Sequence, residues 1–437
     1  MNSIAIISLI FLVFVIILVG VPVYISLGVV GLCSLFVHSL ISGQTIAWQV
    51  LPQSIYNGIG YSPLLAVPFF MLAGEIMNRG QITDKLVDFA LLLIGRMPAS
   101  LAQANIVASM FFGGITGSAQ ADTSCIGGIL IPAMVKDGYA PEVAVGVTAS
   151  SSTCGPIIPP SIIMVVFGVT VGASIGALFM GGVIPGLLIG FGLMATVAIM
   201  NKYHHYPRQT ETIPWEKKKE ITISALLPLG MPIIIVGGIM FGVFTPTEAG
   251  AAAVVYSLVV SLFITRTLRF QEIPGMLLNA ATISSTVLMI ISCARVFSYG
   301  LSTLQVSTIV GNLFLSISTS PWVYLLLVNV LLLLVGMFME GAAAVIVLAP
   351  ILTPIAQQLG ISPIHFGVIM VLNVVVGAGT PPLGACLFIA CKIANISVER
   401  GIRGILPYVI AEIIVLLVIT YIPPLVTFLP NILGYAT

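Results

Sequence analysis

Charge is what this 437-residue sequence has least of: Lys and Arg number 15, Asp and Glu 14, and together they make up 7% of the chain. Soluble domains carry about a quarter of their residues as charges, so a water-facing globular protein is excluded. No clustered basic surface is present to neutralise phosphates, which removes a nucleic-acid partner. Cysteine is sparse too. Cys33, Cys125, Cys154, Cys293, Cys386 and Cys391 all sit in apolar stretches without CxxC or His-paired spacing, so neither a disulfide framework nor a thiolate metal site follows. The four histidines are His38, His204, His205 and His365, and no Ser/His or paired-Asp arrangement occurs within the apolar segments. An intramembrane hydrolase therefore has no catalytic group to use, and the chain is not expected to be an enzyme.

What is abundant is apolar surface, at 59% of residues. Nearly uncharged runs of about 20 residues recur, long enough to cross about 30 Å of hydrocarbon as helix. The expected fold class is all-α and polytopic, with membrane lipid as its main solvent. Predicted crossings are 4–20, 22–41, 56–78, 140–168 and 176–200, then 222–243, 246–265, 275–299, 364–390 and 405–428. Residues 4–20 lack a basic preceding region and a small-residue cleavage site, so they read as a retained span rather than a signal peptide.

The densest charge lies in residues 201–220, with Lys202, Arg208, Lys217, Lys218 and Lys219, which the positive-inside rule places in the cytoplasm. His204 and His205 read as solvated residues of this linker. It separates two related halves, 1–200 and 221–437. Gly138, Pro141, Gly155, Pro159 and Pro160 recur 222 positions later as Gly360, Pro363, Gly377, Pro381 and Pro382, and Pro132 recurs as Pro354, without a gap. Basic residues alternate between matched loops. Arg79, Lys85 and Arg96 decorate 79–100 but their counterparts in 301–320 are uncharged, whereas Lys392, Arg400 and Arg403 answer the uncharged 169–176. That alternation, and five crossings per half, predict inverted-topology repeats with both termini on the periplasmic side. Residues 82–96 predict an amphipathic helix in the interface.

Between the third and fourth crossings of each half lies an apolar stretch interrupted by small and polar residues: 104–135, centred on Gly113 to Asp122, and 323–356, centred on Gly336 to Ala342. Each arm has about 14 residues and reaches about 20 Å, too short to span, so each stretch predicts a re-entrant hairpin. Irregular backbone at membrane depth is tolerated only in protein or against a wet cavity, which marks the tips as a site. Glycines serving close helix packing are the competing reading.

The following crossings, 140–168 and 364–390, contain Gly155-Pro156-Ile157-Ile158-Pro159-Pro160-Ser161 and Gly377-Ala378-Gly379-Thr380-Pro381-Pro382. A proline has no N–H for the carbonyl four residues earlier, so Pro159 and Pro381 free the oxygens of Gly155 and Gly377, and Pro160 and Pro382 those of Pro156 and Ala378. Such oxygens, with the hydroxyls of Ser151, Ser152, Thr153 and Thr380 and the tip at Gly336, suit Na+, a hard cation, with one site expected per half. The half-helix N-termini and tip amides could instead attract a carboxylate. Candidate substrate residues are Gly117, Ser118, Asp122, Ser161, Glu340, Gly341 and Thr380. A kink serving packing alone is the other reading of a proline. Charges within apolar segments are costly and default to functional candidates: Glu75, Asp122, Glu248, Arg295, Glu340 and Glu412. Asp122 and Glu340, in the hairpins, stand out as groups that orient a tip or carry a proton. Glu75 and Arg295, 220 apart, either flank the interface of the halves or reach the headgroups.

At Pro68-Phe69-Phe70-Met71-Leu72-Ala73-Gly74-Glu75, Gly117-Ser118-Ala119-Gln120-Ala121-Asp122, Gly155 to Ser161, Phe244-Thr245-Pro246-Thr247-Glu248-Ala249 and Gly379-Thr380-Pro381-Pro382 the sequence resembles the large membrane subunit (M subunit) of TRAP (tripartite ATP-independent periplasmic) transporters, in the ion-transporter superfamily. The resemblance covers essentially the whole chain. It implies Na+-coupled uptake of an organic acid, of sialic acid or C4-dicarboxylate type, across the bacterial inner membrane by an elevator motion of a transport domain against a scaffold. It also implies a small four-helix membrane subunit (Q-type), expected as a separate chain, and a periplasmic substrate-binding protein (P-type). A stand-alone Na+- or H+-coupled carboxylate carrier of the same superfamily is the alternative.

Overall fold

The computed structural model describes residues 12–13, 15–17, 19–43, 45, 48–80, 82–208, 214–317, 320–381 and 384–435; the predicted crossing 4–20 lies mostly outside them, as does Pro382. Every regular element among the described residues is helical. The first repeat contains α1 (Val23–Ser42), α2 (Val50–Ile59), α3 (Ala66–Arg79) and α4 (Ile82–Ile94). Hairpin arms α5 (Ser100–Thr116) and α6 (Ala119–Lys136) follow, then α7 (Pro141–Ser151), α8 (Ile162–Val171) and α9 (Ile175–His204). The second contains α10 (Trp215–Met240), α11 (Pro246–Val259), α12 (Ile273–Thr303) and α13 (Val306–Ile317). Its hairpin arms are α14 (Pro321–Gly336) and α15 (Gly341–Gln358), followed by α16 (Pro363–Gly379), α17 (Ala385–Ala394), α18 (Val398–Tyr421) and the short α19 (Pro424–Ile432).

Seven described helices are long and apolar enough to cross a bilayer, or eight if one bent pair counts as a span. One of the seven, α15, is almost wholly buried inside the protein and forms a hairpin arm rather than a lipid-facing span. Two predicted crossings need correction. The segment 56–78 is not one rod: α2 and the continuation into α3 meet at 50°, because Gly60 ends one helix and Pro63 opens a 3-10 turn over Ser62–Leu65. The predicted crossing 246–265 forms as one span, Pro246–Ile264, whose last turn is a π turn over Val260–Ile264. The segment 405–428 stops at Tyr421, and α19 starts afresh at Pro424.

The start signals are local. Pro141, Pro246, Pro321 and Pro363 occupy first-turn positions where no N–H is required. Ser174, Thr245 and Ser362 side chains accept first-turn amides, and Glu248 reaches back to Thr245 to complete a capping box. The amphipathic α4 buries Leu86, Val87, Ala90 and Ile94 against α5 and α10. Helices α1, α2, α3, α11 and α12 pack mainly on one another, α10 lies between α11 and α4, and α5 to α9 with α14 to α18 form an inner group. Within it α6 lies on α17, α8 on α15 and α7 on α18, so each repeat embraces parts of the other. Lipid tails are as apolar as leucine, so close backbone approach rather than hydrophobic segregation holds such pairs. Gly146 of α7 and Gly404 of α18 show it: a Cβ on either would overlap the carbonyl of Gly404 or Glu142 respectively. An Arg400–Glu142 ion pair of 2.9 Å closes the same contact.

Candidate functional site

Both predicted hairpins form, with tips where the sequence is interrupted. Helix α5 ends because Gly117 adopts φ 60° and its N–H bonds the Gly113 carbonyl at 3.1 Å. A Cβ at Gly117 would lie 2.5 Å from the Pro160 carbonyl oxygen, so the close approach and the left-handed backbone both demand glycine. Ser118 then caps α6, accepting from the Ala121 amide at 3.4 Å. In the second hairpin Met337, Phe338 and Met339 make the turn, and the Glu340 carboxylate caps α15 by accepting the amides of Ala342 and Ala343, each at 3.4 Å. Ser118 and Glu340 are 222 residues apart, so one repeat position carries both caps.

Both predicted breaks form as well, but the released carbonyls are partly reclaimed. After α7 a 3-10 turn over Ser152–Cys154 leads into irregular chain, and helix resumes at Ile162. Ser161 caps α8 by accepting the Met164 amide at 3.2 Å, and its hydroxyl donates to the Pro156 carbonyl. In the second break the Thr380 amide donates to the Gly377 carbonyl at 2.9 Å. Two of the oxygens expected to be bare, on Pro156 and Gly377, are therefore occupied by a neighbouring donor. Thr380 also donates its hydroxyl to the Val376 carbonyl at 2.7 Å.

Glycine contacts seat each hairpin on the break of its own repeat. A Cβ on Gly113 would be 2.6 Å from Gly155 Cα, and one on Gly377 2.8 Å from Gly336 Cα. The competing reading, glycines serving close packing, therefore holds at Gly113, Gly155, Gly336 and Gly377, and of these Gly336 also lines the cavity between the tips. Between the tips lies a cavity of about 220 Å³ whose wall includes Gly117, Ser118, Pro156, Gly336, Glu340, Gly341 and Ala378. Seven of the predicted site residues, drawn from both repeats, meet there. The sequence reading missed the apolar wall opposite, Met71 of α3 and Val287 of α12; nothing distinguishes those residues from ordinary lipid-facing or core positions.

The remaining predicted residues lie behind the cavity rather than on its wall. Asp122 is 0% exposed, and neither carboxylate oxygen has a hydrogen-bond partner, although the hydroxyls of Ser109 and Ser152 lie beside it. Ser109 and Ser151 hydroxyls are 3.0 Å apart, Ser151 donates to Asn105 Oδ1 at 3.2 Å, and Asn105 donates to Thr148 at 2.7 Å. Ser152 donates to the Thr148 carbonyl at 2.8 Å. Thr153 lies 2.6 Å from both the Ser150 carbonyl and Glu412 Oε1, and Glu412 Oε2 is buried without a partner. Hydroxyls that give their hydrogen to a carbonyl turn lone pairs outward, the donor set a hard cation needs. The second repeat instead has an amide network: Asn373 donates to Asn329 Oδ1 at 2.8 Å, and Asn329 to Thr420 at 3.0 Å. These networks had one readable signal. Ser151 and Asn373 share a repeat position, 222 apart.

The other charges separate. Glu75 pairs with Arg79 at 3.0 Å and accepts from Asn279 at 3.4 Å, whereas Arg295 donates to the Val169 carbonyl at 3.2 Å, so the two do not meet. Glu248 is used in its capping box. Among the described residues no group of three or more His, Cys, Asp and Glu is placed to hold a metal ion.

Comparison with known proteins adds to this geometry. Residues 10–425 match the family described as the DctM component of the tripartite ATP-independent periplasmic transporter. The C4-dicarboxylate TRAP transporter large permease protein DctM of Pseudomonas aeruginosa is 38% identical over 412 residues, 94% of each chain. The sialic acid TRAP transporter large permease protein SiaM of Vibrio cholerae is 38% identical over 420 residues, 95% of this chain and 96% of that one. Among solved structures, the YdaH transporter of Alcanivorax borkumensis shares the fold, with a TM-score of 0.62, 14% identity and coverage of 86% and 88% of the two chains.

Proposed function

The chain belongs to the DctM-component family of tripartite ATP-independent periplasmic transporters, and from that premise we propose that it performs Na+-coupled uptake of an organic acid across a bacterial inner membrane. The observation that carries the reading is the cavity walled by both hairpin tips and both helix breaks. Its amide-rich tips suit a carboxylate, and large permeases similar to this chain are named for C4-dicarboxylate and for sialic acid. Na+ fits the hydroxyl-lined break at Ser151 and Ser152, beside the Gly155 carbonyl, where the buried Asp122 supplies negative charge. A second Na+ fits the break at Gly377, Ala378 and Thr380.

Inverted repeats follow from the basic-loop alternation, with the 201–220 linker in the cytoplasm and both termini in the periplasm. The inner helix group, holding both hairpins and both breaks, is the moving body of an elevator, and the outer helices with Met71 and Val287 are the scaffold it slides against. A small membrane subunit and a periplasmic binding protein complete the system. Uptake of succinate and of N-acetylneuraminate into proteoliposomes, with candidate partners added or withheld, tests the proposal. Replacing external Na+ by K+ is expected to abolish uptake, and persistence of uptake in K+ would sink the coupling claim. Transport by the chain without a binding protein would identify a stand-alone carrier.

A further inference from the structure

A second polar chamber, separate from the hairpin cavity, lies between the outer helix α12 and the inner group. Two adjoining cavities of about 260 and 460 Å³ share Arg295, Ser298 and Ser302, successive turns of one face of α12. Thr170 of α8 and Thr353 and Gln357 of α15 face them across the first, and Ser54 and Asn57 of α2 line the second. No Asp or Glu among the described residues lines either cavity. Among the described residues Arg295 has no acidic partner: the two ion pairs are Arg79–Glu75 and Arg400–Glu142.

A guanidinium offers five N–H donors in a fork matched to carboxylate or phosphate. One donor of Arg295 goes to the Val169 carbonyl at 3.2 Å. The stem is held by packing, since a Cβ on Gly58 would lie 3.2 Å from Arg295 Cγ. A cation fixed at membrane depth without a counter-ion is costly and is retained where it meets a charge from outside the chain. Thr353 supplies the independent observation: it is 2% exposed, its hydroxyl has no hydrogen-bond partner, and it lines the same chamber.

We propose that Arg295, with Thr353, Ser298 and Ser302, forms a Na+-independent anion site that takes a carboxylate or phosphate group at the entrance to the interface between outer and inner helices. Arg295 lies towards the Thr303 end of α12, remote from Arg266 and Arg269. With the sidedness of the proposed function, on which this placement rests, the chamber is on the periplasmic side, where an organic anion arrives or an anionic headgroup reaches in. The site is a stop on the route rather than part of the hairpin cavity.

The test uses the purified full chain in phosphatidylcholine nanodiscs in K+ buffer without Na+, titrated with succinate, N-acetylneuraminate or inorganic phosphate and followed by thermal unfolding. A parallel set replaces the soluble anion with increasing phosphatidylglycerol. Saturable stabilisation is expected, weakened roughly tenfold or more in apparent affinity by Arg295→Gln and about threefold by Arg295→Lys or Thr353→Val. Response to a soluble carboxylate assigns the site to the transported acid, and response to phosphatidylglycerol alone assigns it to lipid. No stabilisation by any probe, or stabilisation equal in wild type and all three variants, overturns the proposal. Binding that appears only on adding Na+ and survives Arg295→Gln reports on the hairpin cavity, so failure of one site is read separately from the other.

Discussion

The two repeats agree in how hairpin meets break and differ in the side chains around that joint. Second hairpin arms α6 and α15 are both 18 residues long and begin 222 positions apart, and in each repeat a glycine of the first arm meets the glycine that opens the break. Around that shared frame, the first repeat gathers Asn105, Ser109, Thr148, Ser151, Ser152 and Asp122, whereas the second has amides at Asn329 and Asn373 and a reclaimed carbonyl at Gly377. The third crossing differs too, bent by 50° between α2 and α3 but a continuous 31-residue helix in α12. Duplication therefore preserved the geometry of tip against break while the buried hydroxyls and the buried carboxylate of Asp122 gathered in the first copy.

The sharpest way to break this comparison is at Asp122. Asp122→Asn is expected to lower Na+-driven uptake by roughly tenfold or more in initial rate, because the isosteric change removes only charge. Ala344→Ser at the equivalent position should stay within about twofold. Equal losses in both variants would contradict an uneven division of labour. Next in size, Gly113→Ala and Gly336→Ala force a methyl to 2.6 Å from Gly155 Cα and 2.9 Å from the Val374 carbonyl oxygen. Each should cost about 1–3 kcal/mol by overpacking. Matched drops in thermal midpoint would support equivalent joints, and tolerance of either would show that its joint can yield. Smallest, Pro159→Ala restores an amide facing Gly155 and should raise the Na+ concentration for half-maximal uptake about threefold. Pro381→Ala should change it little, because the Gly377 carbonyl already accepts from Thr380. A larger effect of Pro381→Ala would reverse the assignment of the stronger cation site to the first repeat.

The hairpins and breaks were legible because Gly, Ser and Pro interrupt otherwise apolar runs at a fixed offset, and a helix cannot pass such positions in lipid without finding other hydrogen-bond partners. The bend at Gly60 to Pro63 carried the same kind of signal but lay inside an apolar run that was read as one rod. Partners such as Asn105 with Thr148, or Asn329 with Thr420, were not legible, since they lie 43 and 91 residues apart and pairing depends on how helices cross. The reclaimed Pro156 and Gly377 oxygens were hidden for a different reason. Proline chemistry tells which acceptor loses its helical donor, whereas the path of the following turn decides which donor replaces it.

The meeting of Gly146 with Gly404 brings the main chain of α7 in one repeat directly against that of α18 in the other. Side chains have rotamers and can ease past one another; two peptide planes in contact have no comparable slack. The joint is thus a direct backbone contact that ties the two copies together on their inner side. An elevator of the proposed kind would therefore carry α7 and α18 as one piece and slide elsewhere, for instance where Met71 and Val287 face the cavity.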